Sequence, residues 1–168
     1  MKKLISIVII IVINLTVFGQ QIGYVDSEYI LNKMPEYKSA IEQINQLSIK
    51  WNKEIKDIYD EVENMYKDYQ TKQFMIPKED RIIKEQEILN KEKEAKNLEQ
   101  QRYGTDGDLF KKRNELIQPI QDRILNAIND FSEQYRYDII FNKNSDLIML
   151  YTNDRFNKSD EILKILGY

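Results

Sequence analysis

From Tyr37 onward, apolar residues fall into two series, each spaced by seven. One is Tyr37, Ile44, Trp51, Ile58 and Met65; the other is Ile41, Ser48, Ile55, Val62 and Tyr69, with Ser48 its single polar member. Together they alternate four and three, the spacing of a coiled-coil seam on a helix. The pattern returns as Tyr103, Phe110, Ile117, Ile124 and Phe131, with Ile120 and Ala127 on the same side. Between Asn90 and Arg102 only Ala95 and Leu98 are apolar, so the seam is expected to be thin and loosely zipped there. The whole run from Glu36 to Tyr135 is rich in Glu, Lys, Gln, Ile and Leu, and its only glycines are Gly104 and Gly107. The segment Tyr103-Gly104-Thr105-Asp106-Gly107 is expected to break or bulge the second helix, because glycine readily leaves the helical region.

The prolines divide this run. Pro35, Pro77 and Pro119 stand 42 residues apart. Proline is poorly tolerated inside a helix, so the chain is expected to reverse near residues 75–79, with Pro35 and Pro119 level at the base. Each arm of the resulting helical hairpin would be about 60 Å long at 1.5 Å per residue.

Outside the run the period changes to two. Ile22-Gly23-Tyr24-Val25 reads as a strand, Asp26 or Ser27 as the cap of a short helix through Asn32, and Tyr137 to Phe141 as a second strand. Asn142-Lys143-Asn144-Ser145 reads as a turn, Asp146 to Thr152 as a third strand, and Ser159 as the cap of a last helix that ends at Gly167. Three short strands and two short helices bury little surface and are marginal alone. Leu147-Ile148-Met149-Leu150 is apolar on both faces, so oligomerisation through the sheet is expected. The candidate oligomerisation residues are Ile22, Tyr24, Val25, Ile139, Ile140, Phe141, Leu147, Ile148, Met149 and Leu150.

The first stretch stands apart from this design. Met1-Lys2-Lys3, an apolar run from Leu4 to Phe18 and a small, polar exit at Gly19-Gln20 describe a secretory signal peptide over residues 1–20. The alternative is an uncleaved anchor in the inner membrane, although the run is short of the roughly 20 apolar residues of a span. Losing Lys2 and Lys3 takes the formal charge from −3 to −5. A mildly acidic chain without clustered Lys and Arg is a poor nucleic-acid binder. Cys and His are both absent, which removes disulfides, the usual zinc, haem and iron–sulfur ligands, and Cys–His or Ser–His catalysis. No metal or other cofactor is expected. Carboxylate pairs such as Glu61 with Glu63 lie on solvated helix, where nothing would raise one pKa for acid–base work. The chain is therefore expected not to be an enzyme.

Several segments carry a family resemblance. Ile22-Gly-Tyr-Val-Asp-Ser-Glu-Tyr-Ile-Leu31 followed by Pro35-Glu36-Tyr37, then Phe110-Lys-Lys-Arg-Asn-Glu-Leu-Ile-Gln-Pro-Ile120, and finally Ser159-Asp-Glu-Ile-Leu-Lys-Ile-Leu166 resemble, in order and spacing, the segments of the Skp/OmpH family of periplasmic chaperones. The resemblance implies a homotrimer whose strands form a central barrel. Three helical hairpins would hang from it around a cavity that holds unfolded outer-membrane proteins without ATP. The absence of a glycine-rich phosphate loop agrees with the last point. The better-known members are basic. This mature chain is acidic, which argues against electrostatic contact with lipopolysaccharide or membrane.

The fold expected is thus α+β and mainly α: a long antiparallel coiled-coil hairpin over residues 36–135, its tip near 74–79, on a small β body formed by residues 21–35 and 136–168 that trimerises through its strands. The expected seam residues are Tyr37, Ile41, Ile44, Trp51, Ile55, Ile58, Val62, Met65, Tyr103, Phe110, Ile117, Ile124 and Phe131. Phe74, Met75 and Ile76, with Tyr66 and Tyr69, are the candidate client contacts, because exposed apolar side chains that include Met suit adaptable binding. The bland alternative is that they only close the turn. At the level of the whole protein, the alternative to a holdase is a structural coiled-coil scaffold or spacer of the cell envelope.

Overall fold

The computed structural model describes residues 20–145 and 149–168. The expected signal peptide therefore lies outside the described residues, apart from Gln20, as do Leu147 and Ile148. The chain is mainly helical. In order it forms β1 (Ile22–Val25), α1 (Ser27–Lys33), α2 (Pro35–Lys72), α3 (Lys78–Tyr103), α4 (Asp108–Tyr135), β2 (Ile139–Asn142), a 3-10 turn (Asp154–Phe156) and α5 (Ser159–Leu166). No helix among the described residues is long and apolar enough to cross a membrane. The chain divides into two compact units, Met34–Asp122 and, among the described residues, the combination of residues 20–33 with those from Arg123 onward, and α4 contributes to both.

In the unit Met34–Asp122, proline sets the helix limits. Pro35 opens α2 at a position where its missing N–H costs nothing. Pro77 stands immediately before α3 in an extended conformation, and it disfavours helix at Ile76. Residues 73–77 form the turn, with the Met75 amide donating to the Lys72 carbonyl at 2.8 Å. Glu79 and Asp80 then place negative charge on the first turn of α3, where the helix dipole favours it. Pro119 behaves differently, since it sits inside α4, which continues through it. A single missing hydrogen bond on an exposed face leaves the freed carbonyl to water, so the penalty can be carried.

Ala40, Ile44, Trp51, Ile55 and Val62 of α2 are buried, as are Ile88 and Ala95 of α3. They space by four and seven, drawing members from both of the series read in the sequence. Ala95 is completely buried, at 0% exposure, where the seam was expected to be thin. Polar ties join the two helices at intervals. The Tyr103 hydroxyl donates to the Ser48 carbonyl at 2.9 Å, Arg102 pairs with Glu54 at 3.3 Å, and Tyr59 donates to Glu99 at 3.3 Å. Lys91 pairs with Glu61 at 2.9 Å, and Tyr69 donates to Glu85. By contrast, pairs within one helix, such as Lys53 with Asp57, are more than half exposed at both ends and contribute little.

In the other unit, β1 pairs with β2 in parallel, Ile22 opposite Ile139 and Val25 opposite Asn142. On its other side Tyr24 bridges Asn157, and the Lys158 amide donates to the Tyr24 carbonyl at 2.8 Å. Gly23 permits this crowding, because a Cβ there would stand 3.1 Å from the Tyr137 ring. The expected third strand, Asp146 to Thr152, lies partly outside the described residues, at 146–148. Residues 149–152 form no strand, and the sheet among the described residues has two strands. The chain leaves β2 through the turn at 143–145, and the segment that returns beside β1 is residues 156–158, just before α5. Ser159 also has a different task from the one expected. Buried at 1% exposure, its hydroxyl accepts from the Asp26 amide at 2.8 Å and donates to Asn157 at 2.6 Å, so it fastens α5 to β1. Tyr24, Val25, Ile30, Ile124, Ala127, Phe131, Ile162 and Leu163 are buried in this unit.

Asp26 caps α1, accepting from the Tyr29 amide at 2.9 Å. Its second carboxylate oxygen receives Lys143 at 3.2 Å. Burial works to raise its pKa, but the Tyr29 amide and the Lys143 ammonium outweigh burial and hold it below the ordinary value. The far end of α4 is closed by Arg136 in the left-handed region, at φ 58, with the Tyr137 amide donating to the Ser132 carbonyl at 2.9 Å. Gly167 does the same for α5 at φ 92.

Two outcomes are expected. Asp26→Ala should destabilise the protein by about 1 kcal/mol at neutral pH, the usual size of a lost cap, as read by urea unfolding. Because folding depresses this carboxyl, its contribution is present above about pH 4 and is lost as pH falls through the folded value. The phenols behave in the opposite sense. The hydrogen bond to Glu85, then burial, raises the Tyr69 pKa; burial, then the Glu99 charge, raises that of Tyr59. Their contribution is complete below the ordinary tyrosine value of about 10 and falls as pH rises through the raised folded values. Thermal melts should therefore show the midpoint falling less steeply above about pH 10 in Tyr59→Phe/Tyr69→Phe than in the wild type.

Candidate functional site

Two surfaces carry the apolar side chains that the packing leaves over. The first is the turn between α2 and α3. Phe74 and Met75 are 86% and 76% exposed. They project from a five-residue connection, fixed by Pro77 on one side and by the end of α2 on the other, that has no helix face into which to fold them. Ile76 is half-buried. Tyr66 is exposed on α2, and Tyr69 is half-buried with its hydroxyl held by Glu85. The sequence reading missed Ile82 and Ile83, both more than half exposed on the first turns of α3. A signal for them existed, since Arg81-Ile82-Ile83-Lys84 puts two adjacent apolar residues in a charged helix, where only one can face the seam. Residues 67–85 hold five basic and four acidic side chains, so the surface is apolar and close to neutral.

The second surface is in the β unit. A cleft of about 570 Å³ lies beside β1, lined by Ile22, Tyr24, Phe141, Met149, Tyr151 and Phe156 among others. Of the expected oligomerisation residues, Tyr24 and Val25 are core, at 5% and 2% exposure. Ile22 and Ile139 are exposed, while Ile140, Phe141 and Met149 are half-buried. Leu150 is 95% exposed, and its neighbour Tyr151, which the sequence reading did not name, is 84% exposed.

The expected seam residues divide by burial. Ile44, Trp51, Ile55, Val62, Ile124 and Phe131 are buried; Tyr37, Ile41, Ile58, Met65, Tyr103 and Ile117 are half-buried. Phe110 is 49% exposed. It follows the interruption at residues 104–107, which shifts the phase of α4 relative to an unbroken heptad count. Asp26, in the β unit, is held below the ordinary carboxylate value, the opposite of what a general acid needs. Among the described residues no cluster of three or more Asp or Glu could hold a metal ion.

A comparison with curated protein sequences returns no match. Among solved structures, the fold is similar to that of a Caulobacter crescentus CB15 protein described as a candidate outer membrane chaperone (OmpH-like). The TM-score is 0.70 at 11% identity, over 88% of this chain and 84% of that one. At that identity the likeness concerns the fold. The family model described as outer membrane protein (OmpH-like) matches residues 21–166, which is all but the first 20 and last two residues. The chain belongs to the OmpH-like family.

Proposed function

We propose that this protein is an ATP-independent holdase of the periplasm that keeps unfolded outer-membrane proteins soluble. On this reading α2 and α3 form an antiparallel coiled-coil arm, three copies associate through their strands, and clients are held in the cavity between the arms. Family membership supports a chaperone role in general. Support for the arm comes from the cross-helix ties, in which the partner's number on α3 falls as the residue number on α2 rises, from Ser48 with Tyr103 to Tyr69 with Glu85. The open apolar cleft and the exposed Leu150 and Tyr151 support association through the β unit.

The observation that carries the reading is the exposure of Phe74 and Met75 at the turn. Two large apolar side chains in water are a cost without a partner, since burying one stabilises by about 1.5–3 kcal/mol. Met adapts to varied surfaces, and several such contacts on linked arms give avidity while each stays weak and exchangeable. A client held in this way remains mobile and can be handed on without nucleotide.

The test is suppression of light scattering when a urea-unfolded outer-membrane protein is diluted into the purified mature chain. The wild type should suppress aggregation near one trimer per client. Phe74→Ser/Met75→Ser/Ile76→Ser should weaken capture by on the order of tenfold, the loss expected from a few partly buried apolar contacts, with oligomer mass unchanged. Full capture by the triple variant would remove the tip from the mechanism. No capture by the wild type would leave a scaffold role.

A further inference from the structure

The interruption between α3 and α4 is built with unusual care for a surface defect. Helix α3 stops at Tyr103 and α4 begins at Asp108. The four residues between them fold back tightly. The Gly104 amide donates to the Gln100 carbonyl, and the Gly107 amide to the Gly104 carbonyl, both at 2.8 Å. A Cβ on Gly104 would lie 2.4 Å from the Gln100 carbonyl oxygen. One on Gly107, which is buried, would lie 2.9 Å from three backbone atoms. Both glycines are therefore required by space.

The backbone ladder is broken here, so side chains must hold the two helices in line. Arg102, in the last turn of α3, makes most of the connections. Its Nη1 reaches Asp108, the first residue of α4, at 2.5 Å. Its Nη2 reaches Glu54 on α2 at 3.3 Å. Its guanidinium lies over the Trp51 ring at 5.0 Å, while Tyr103 meets the same ring edge-on at 6.4 Å. The side chain is only 23% exposed, and its buried Nε has no hydrogen-bond partner. One planar cation thus joins three helices at a point where the helical backbone ladder is broken. Lysine could supply the charge but not the fork and the stacked face together. Asp108 also sits at the start of α4, where the helix dipole already favours a carboxylate.

The geometry points to residues 103–108 as a latched joint in the helical unit, with Arg102 as the latch. Closed, the latch keeps α3 and α4 acting as one stiff element. Open, the two helices are joined through the short turn at residues 104–107 and can move against each other. The purpose of such a joint rests on the holding reading, in which arm compliance lets one cage accept clients of different bulk. The joint itself needs no client and is tested without one.

The test is amide hydrogen exchange, resolved by peptide, on the full mature chain without client. The wild type should show measurable protection at residues 108–112 despite their place at a helix start. Arg102→Gln should speed exchange across residues 103–112 on the order of tenfold, the size expected when a coupled network is removed, with the slowest amides of α2 unchanged. Arg102→Lys should fall between the two. Unchanged exchange in Arg102→Gln, or exchange raised equally along α2 and α3, would overturn the latch and leave Arg102 an ordinary packing residue. If Arg102→Gln does not fold by circular dichroism, Asp108→Asn decides instead. It removes the charge from the contact that spans the gap and from the start of α4 together, so acceleration must extend to residues 103–107 to support the latch, and acceleration confined to residues 108–112 overturns it. Trp51, the single tryptophan of the chain, gives a second readout, since removing the overlying guanidinium should alter its emission. Loss of capture by the wild type would end the holding reading without touching the joint.

Discussion

The β unit depends on one non-local constraint, which is that every partner of β1 lies more than a hundred residues downstream. Ile22 to Val25 pair with Ile139 to Asn142 on one side and bridge Asn157 on the other. The Asp26 amide that follows is taken by Ser159, and Asp26 itself receives Lys143. Among the described residues, the strand takes its pairing partners from these distant segments. Parallel pairing of β1 with β2 requires a long connection, and here the connection is the whole helical excursion. Closing so long a loop costs entropy before any contact rewards it. The helices reduce that cost, because an ordered excursion has fewer ways to be elsewhere than a flexible one.

The helical unit follows the opposite logic, with a repeating seam of small contributions. Its buried residues are mostly large, from Ile44 to Val62 on α2 and Ile88 on α3, with Ala40 and Ala95 the small ones. The polar ties add direction rather than much energy. The Tyr–Glu pairs and the Arg102 node fix which residues face one another, while the exposed Lys–Glu pairs along each helix are nearly neutral in stability. The arrangement is well ordered sideways and weakly tied lengthwise, so an interruption such as residues 104–107 can be tolerated only where side chains replace the lost backbone bonds.

The legible parts of this fold were those written in local chemistry. Heptad spacing marked the helices, Pro35 and Pro77 marked two of their starts, Gly104 and Gly107 marked the break, and Gly167 marked the final cap. Pro119 misled in part, since a proline on a solvated face can stay within a helix. The partners of β1 were not legible, because strand pairing is set by burial on faces that only the assembled body creates. The segment after β2 reads as a strand by propensity, yet the place beside β1 went to residues 156–158. Arg136 gave no warning of its left-handed conformation, which costs a residue with a Cβ but not glycine. The tip was legible as composition, whereas the exposure of Ile82 and Ile83 needed the helix phase.

Charge decides what kind of contact the tip can make. The lysines of α2 and α3 are largely matched by carboxylates one turn away, as with Lys56 and Asp60, Lys67 and Glu63, Lys72 and Asp68, and Lys84 and Glu87. Over a Debye length of about 8 Å such neighbours cancel, so these helices present no sustained field to steer a charged partner. A charged partner therefore gains no long-range attraction from them. What remains at the turn is short-range: exposed apolar side chains such as Phe74 and Met75. On the holding reading, capture should therefore depend weakly on salt, and the stiffness of the helices matters more than their charge.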